Sequence, residues 1–215
     1  MNTVKILPFA LICALLLGCE NKPVYVCSPL AITNASFELG QLGLAEVPEG
    51  WTVWGTDGSS PDTFLSGSAD NPWSVRAESQ DGDRYIGLVA RASGTREAIA
   101  QELFMPIDAD VEGLSFDMWV SLTDSFVHNN IPVEILKDYA VPVLLNVMVE
   151  DSDGAVHFVY TSQPISGAEW QLLSATVPYE GDVSAVILQA DYNGGDKYNG
   201  HVLIDNVAFG VCTAE

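Results

Sequence analysis

Trp119 is the residue best equipped to meet an uncharged polar ligand. Ser115, Asp117 and Ser121 stand at even spacings from it, which places all four on one face of an extended strand. An indole face covers the C–H surface of a sugar ring, while a neighbouring carboxylate and hydroxyls take up the ring hydroxyls. The other use of that indole is as a floor beneath residues 123–139, a long insertion containing His128, Asn129 and Asn130. A second set, Tyr192, Asn193, Tyr198 and Asn199, again pairs aromatics with amides, around a Gly/Asn-rich stretch.

Catalysis has little support. Gly-x-Ser-x-Gly and His-Glu-x-x-His are both absent. His128, His157 and His201 have no metal-ligand spacing. With 29 Asp and Glu against 8 Lys and Arg, carboxylate pairs are too common to mark two as an acid and a base. The net charge of −21 argues against nucleic acid and anionic membrane surfaces as partners. It is compatible with neutral glycans, cations or a solubilising surface.

The N-terminus gives a location. The apolar run of residues 6–17 is too short to span a bilayer as a mature helix. It ends in Leu16-Leu17-Gly18-Cys19, a small residue directly before a cysteine, which is the pattern of a bacterial lipoprotein signal. The expectation is cleavage before Cys19, lipid on its thiol, residues 19–29 as a tether in which residues 24–27 are open to being a strand, and one domain over residues 30–213. An ordinary signal peptide or a retained anchor are the alternatives. Glu20 is not an aspartate that would retain the protein at the inner membrane, so the outer membrane is expected, on its periplasmic face or the cell surface. Cys13 leaves with the signal and Cys19 takes the lipid. Cys27 and Cys212 remain, and in an oxidising compartment they are expected to pair.

These residues need strands to position them. Leu114, Phe116, Met118, Val120 and Leu122 alternate with Ser115, Asp117, Trp119 and Ser121, which predicts a strand with one buried face. Residues 141–150 are almost wholly apolar and predict a central strand. Asp151-Ser152-Asp153-Gly154 predicts a turn into residues 156–161. Further strands are expected at residues 32–37, 51–54, 84–89, 96–104, 170–177, 185–192 and 201–212, and residues 55–73 read as a surface loop. About ten strands without a helix predict an all-β, two-sheet jelly-roll sandwich in which the two ends of the chain are neighbours.

Four segments recur in a familiar order: Asn34-Ala35-Ser36-Phe37-Glu38, Gly50-Trp51, Gly82-Asp83-Arg84-Tyr85 and Leu203-Ile204-Asp205-Asn206-Val207. Together they resemble the galactose-binding-like jelly roll of carbohydrate-binding modules that open on Asn-x-Ser-Phe-Glu. Pro61-Asp62-Thr63-Phe64, Arg96-Glu97-Ala98-Ile99 and Leu103-Phe104-Met105-Pro106 are similar to segments of related domains in Bacteroidetes surface proteins. The resemblance implies a non-catalytic module that binds glycan, with an envelope protein as the alternative partner and a small glycan-degrading enzyme as a third reading. It also implies a structural calcium where the chain ends meet. Glu38 and Asp205 would be its carboxylates, with Asn34 and Asp83 beside them. The alternative is that Glu38 and Asp205 satisfy backbone groups at a sheet edge.

Overall fold

The computed structural model describes residues 24–55, 60–107, 111–123, 141–194 and 199–215. The strands are β1 (Tyr25–Pro29), β2 (Thr52–Val53), β3 (Asp62–Leu65), β4 (Arg84–Arg91), β5 (Ala98–Ile107), β6 (Gly113–Leu122), β7 (Val143–Glu150), β8 (Val156–Thr161), β9 (Gln171–Pro178), β10 (Val183–Tyr192) and β11 (Asn199–Ala214). They form two antiparallel sheets. The first runs β3-β4-β11-β6-β9, with β1 added along the last third of β11, and the second runs β2-β5-β10-β7-β8. The protein is a two-sheet jelly-roll β-sandwich.

The core follows from the period-two pattern. Leu114, Phe116, Met118, Val120 and Leu122 of β6 all face inward and are buried, as expected. They meet Leu145, Val147 and Val149 of β7 and Val186, Leu188 and Ala190 of β10 from the opposite sheet. Trp51 is also core and lies against Phe37, their ring centroids 5.5 Å apart. A second apolar cluster forms outside the first sheet. Phe64, Val75, Tyr85 and Leu203 are buried there, with Trp73 and Trp170 packed against them. Residues 66–82 fold back over β3 and β4 to cover it, tied by bonds such as Gly67 N–H to Ala77 O.

The structure departs from the expected strands at three places. Residues 32–37 form a turn rather than a strand. Asn34 and Phe37 take left-handed φ values of 52° and 59°, and the Asn34 side chain bonds Leu39 N–H, Leu39 O and Glu49 O, which fixes the turn. The strand beside β11 is therefore β1, inside the segment read as tether, so the sandwich already starts at Tyr25. Residues 55–73 contain β3, held by its pairing with β4. The Cys27–Cys212 disulfide is present, between residues that are direct cross-strand partners in β1 and β11. Residues 1–23, with Cys19, lie outside the described residues. So do residues 124–140, nearly all of the insertion, and Tyr198.

Candidate functional site

The chain ends do converge, on one turn. Asp205 sits where β11 bulges between Asp205 and Ala208, and the bulge directs its side chain outward. Asp205 Oδ2 accepts the Gln80 and Asp81 amides at 2.8 and 2.9 Å, and its Oδ1 accepts the Asn206 amide at 2.7 Å. Glu38 Oε1 accepts the Asp83 and Arg84 amides, both at 2.9 Å. Four amides of the Gln80–Arg84 turn are thus bound by two carboxylates from opposite ends of the chain. Gly82 makes this contact: its φ is +61°, and a Cβ there would stand 2.2 Å from Glu38 Oε1. Asp205 is fully enclosed, and burial pushes its carboxyl up to about 6 against the pull of the amides.

This donor set does not fit calcium. The ion takes six to eight oxygens, whereas Glu38 Oε1 and Asp205 Oδ2 each face two N–H donors. Asn34 Oδ1 already accepts the Leu39 amide. A lone pair given to an amide proton is not open to a cation. Among the described residues no group of three or more His, Cys, Asp or Glu is placed to hold a metal. Glu38 and Asp205 are held on backbone amides, the alternative that the sequence left open.

The predicted aromatic face is present and open. On β6, Trp119 and Ser115 point outward half-buried and Asp117 is exposed. On the edge strand β9, Trp119 is paired with Leu172, Asp117 with Ser174 and Ser115 with Thr176, all three partners exposed; Leu172 is 54% exposed. The patch is therefore an indole beside an aliphatic side chain, followed by two rows of carboxylate and hydroxyls. On its other side Trp119 is paired with Asp205 in β11, next to the clamped turn. Ser121 is buried and donates to Ala168 O at 2.8 Å, so it belongs to the wall, not the face. Trp170 precedes β9 on the same side; it donates to Glu78 O at 2.6 Å and stands edge-on to Tyr85. Sequence reasoning missed Leu172, Ser174 and Thr176. Their outward set alternates with the half-buried Leu173, Ala175 and Val177, but nothing local shows that β9 pairs with β6.

The second predicted cluster is only partly assembled. Tyr192 ends β10 half-buried, with the Arg96 guanidinium 5.8 Å from its ring centroid. Arg96 also bonds the Asp191 carboxylate and donates to Arg91 O. One face of Tyr192 is therefore occupied by Arg96. Asn193 is exposed beyond the strand, and Asn199 opens β11 opposite Arg91. The described histidines are separate. His157 lies 2.8 Å from Asp151 on the surface, and that contact helps hold the Asp151 carboxyl below the usual range. His201 is enclosed 4.0 Å from Asp62, and burial lowers its pKa to about 3.

The fold and this open face define a class, an antiparallel sandwich with an aromatic-polar outer patch. No family model matches the chain, and no curated protein matches it. Similar solved structures exist. A family 61 carbohydrate-binding module in complex with β-1,4-galactotriose is 12% identical, with 85% of this chain and 98% of that chain covered at a TM-score of 0.46. The xylan-binding domain from Paenibacillus barcinonensis Xyn10C is 16% identical, with 84% and 93% covered at 0.45. The K1 cleaved adhesin domain of Lys-gingipain from Porphyromonas gingivalis W83 is 12% identical, with 86% and 97% covered at 0.45. Likeness of this degree is no guide to what the present chain binds.

Proposed function

We propose that the protein is a non-catalytic carbohydrate-binding domain, exported and held at the bacterial outer membrane by lipid on Cys19. The observation that carries the binding reading is Trp119, half-buried on an outward sheet face with Leu172 beside it and Asp117, Ser174 and Thr176 in the adjoining rows. A sugar ring stacks on the indole, and its hydroxyls bond the carboxylate and the two hydroxyls. The strands hold these groups rigidly, which keeps the ordering cost of binding low. A neutral glycan fits best, because the excess of carboxylates in this chain repels uronic acids and sulfated sugars.

The test is a neutral-glycan array followed by titration calorimetry on the best ligand. Trp119→Ala should weaken that ligand by about 1–3 kcal/mol while the melting curve stays cooperative. Failure of the wild-type protein to bind any neutral glycan overturns the reading. So does a variant that binds as tightly as the wild type.

A further inference from the structure

One end of the sandwich is apolar in a way the core does not require. Strand β5 leaves register there. Glu102 pairs with Ala185 and Ile107 with Val183, so residues 103–106 bulge opposite the single residue Ser184. A bulge leaves the extra residues unpaired, and polar side chains would serve the turn as well. Here it carries Phe104, 98% exposed, Met105, 68% exposed, and Pro106, also exposed. Val24 and Val26 stand at the same end, 62% and 51% exposed. Between β1 and Ile107 lies a cavity of about 300 Å³, lined mostly by apolar residues such as Val26, Ile107, Val111 and Val211, with Ser28 and Thr213 among them. Single exposed apolar residues are ordinary, but several gathered at one end, linked through the groove that Val26 and Ile107 share, point to a contact surface.

The length of chain before this end says what covers it. Val24 is five residues after Cys19. Five residues reach at most about 17 Å when fully extended. A lipid on Cys19 therefore holds this end, and no other, against the bilayer. We propose that Phe104 and Met105 insert into the bilayer interface, so that the domain docks on the membrane by its bulged end. This rests on the reading of Cys19 as the lipidated residue. The exposed acids nearby, Glu102, Glu112 and Glu215, select a zwitterionic surface over an anionic one. The docked domain stands on its β1–β5 end, with the Trp119 face on its side and open to solvent.

The test uses the full chain, expressed and lipidated in a bacterial host and reconstituted into phosphatidylethanolamine–phosphatidylcholine vesicles. Flotation of wild-type protein, with Cys19→Ser left behind, reads the anchor alone. Phe104→Trp and Phe158→Trp then report contact, the latter as a control on β8, where Phe158 is 65% exposed. In vesicles containing brominated phosphatidylcholine, Phe104→Trp should lose at least twice as much fluorescence as the wild type, and Phe158→Trp no more than the wild type. Flotation with no added quenching at position 104 overturns docking and leaves the anchor standing. Shielding of that tryptophan from acrylamide with a doubled mass in detergent also overturns it, because a second copy then covers the surface. Failure of the wild type to float overturns the anchor and the docking together.

Discussion

The enclosed Asp205 carboxyl makes stability depend on pH in a direction opposite to the usual carboxylate. Its pKa stands at about 6 in the folded chain against an ordinary value of 3.8. The folded state therefore holds the proton more tightly than the unfolded state. Stability from this group is complete below pH 4 and is lost as the pH rises through 6. A difference of about two units corresponds to about 3 kcal/mol. His201 acts in the reverse sense, because burial lowers its pKa to about 3 and stability falls as the pH drops below 6.5. The total curve mixes the two, so the comparison that isolates Asp205 is with Asp205→Asn, which keeps an acceptor for the Gln80 and Asp81 amides. Urea unfolding at pH 4, 5, 6 and 7 measures both proteins. The free-energy advantage of wild type over the variant should shrink by about 2.5 kcal/mol between pH 4 and 7, most of that limit. Parallel curves across that range would refute the assignment, as would a carboxyl carbon resonance of Asp205 that titrates near 4.

Further outcomes follow from the same geometry. Because backbone amides already engage both chain-end carboxylates, EDTA should leave the wild-type thermal midpoint unchanged, whereas a midpoint that drops and recovers with calcium would restore the metal reading. Gly82→Ala should lower the midpoint by removing the room Glu38 needs, seen as a cooperative transition at lower temperature. Gly87→Ala places a Cβ 2.1 Å from His201 Nε2 and 2.7 Å from Phe64 Cε2, so unfolding in urea should show a loss of about 1–3 kcal/mol or more. Cys27→Ser should destabilise the folded chain by up to about 5 kcal/mol, the loop-entropy limit for a span of 185 residues, measured by unfolding under non-reducing conditions.

Where one face of a strand is buried, the sequence was a sufficient guide. β6 was legible because five apolar residues at period two admit no other element, and Trp119 and Asp117 were placed outward by the same alternation. Residues 32–37 form no strand although Phe37 is core and Ile32 and Ala35 pack on it, because they lie on a turn whose left-handed Asn34 and Phe37 no pattern reveals. β3 was hidden because only four residues carry it, and its buried Asp62 and Thr63 break the apolar signal. The meeting of Glu38 and Asp205 was legible in outline, since the cysteines place the chain ends together. What fills their oxygens was not. That depends on which way the amides of residues 80–84 point, which the left-handed Gly82 sets in three dimensions. The β9 half of the aromatic patch depends on register between strands fifty residues apart and leaves no local mark.

The bridge between β1 and β11 also decides how the domain bears load. β1 enters from its N-terminal side and pairs with the last strand from Tyr25↔Ala214 onward. A pull applied through the N-terminal segment would open this pairing one residue at a time, like a zip, which is the weakest way to load hydrogen bonds. Cys27 is the third residue of the strand. Opening therefore stops at a covalent link after two residues, and the force passes directly into β11, the strand flanked by β4 and β6 at the middle of the first sheet. A load on the N-terminal segment is thus borne by the middle of the first sheet and not by the hydrogen bonds of β1.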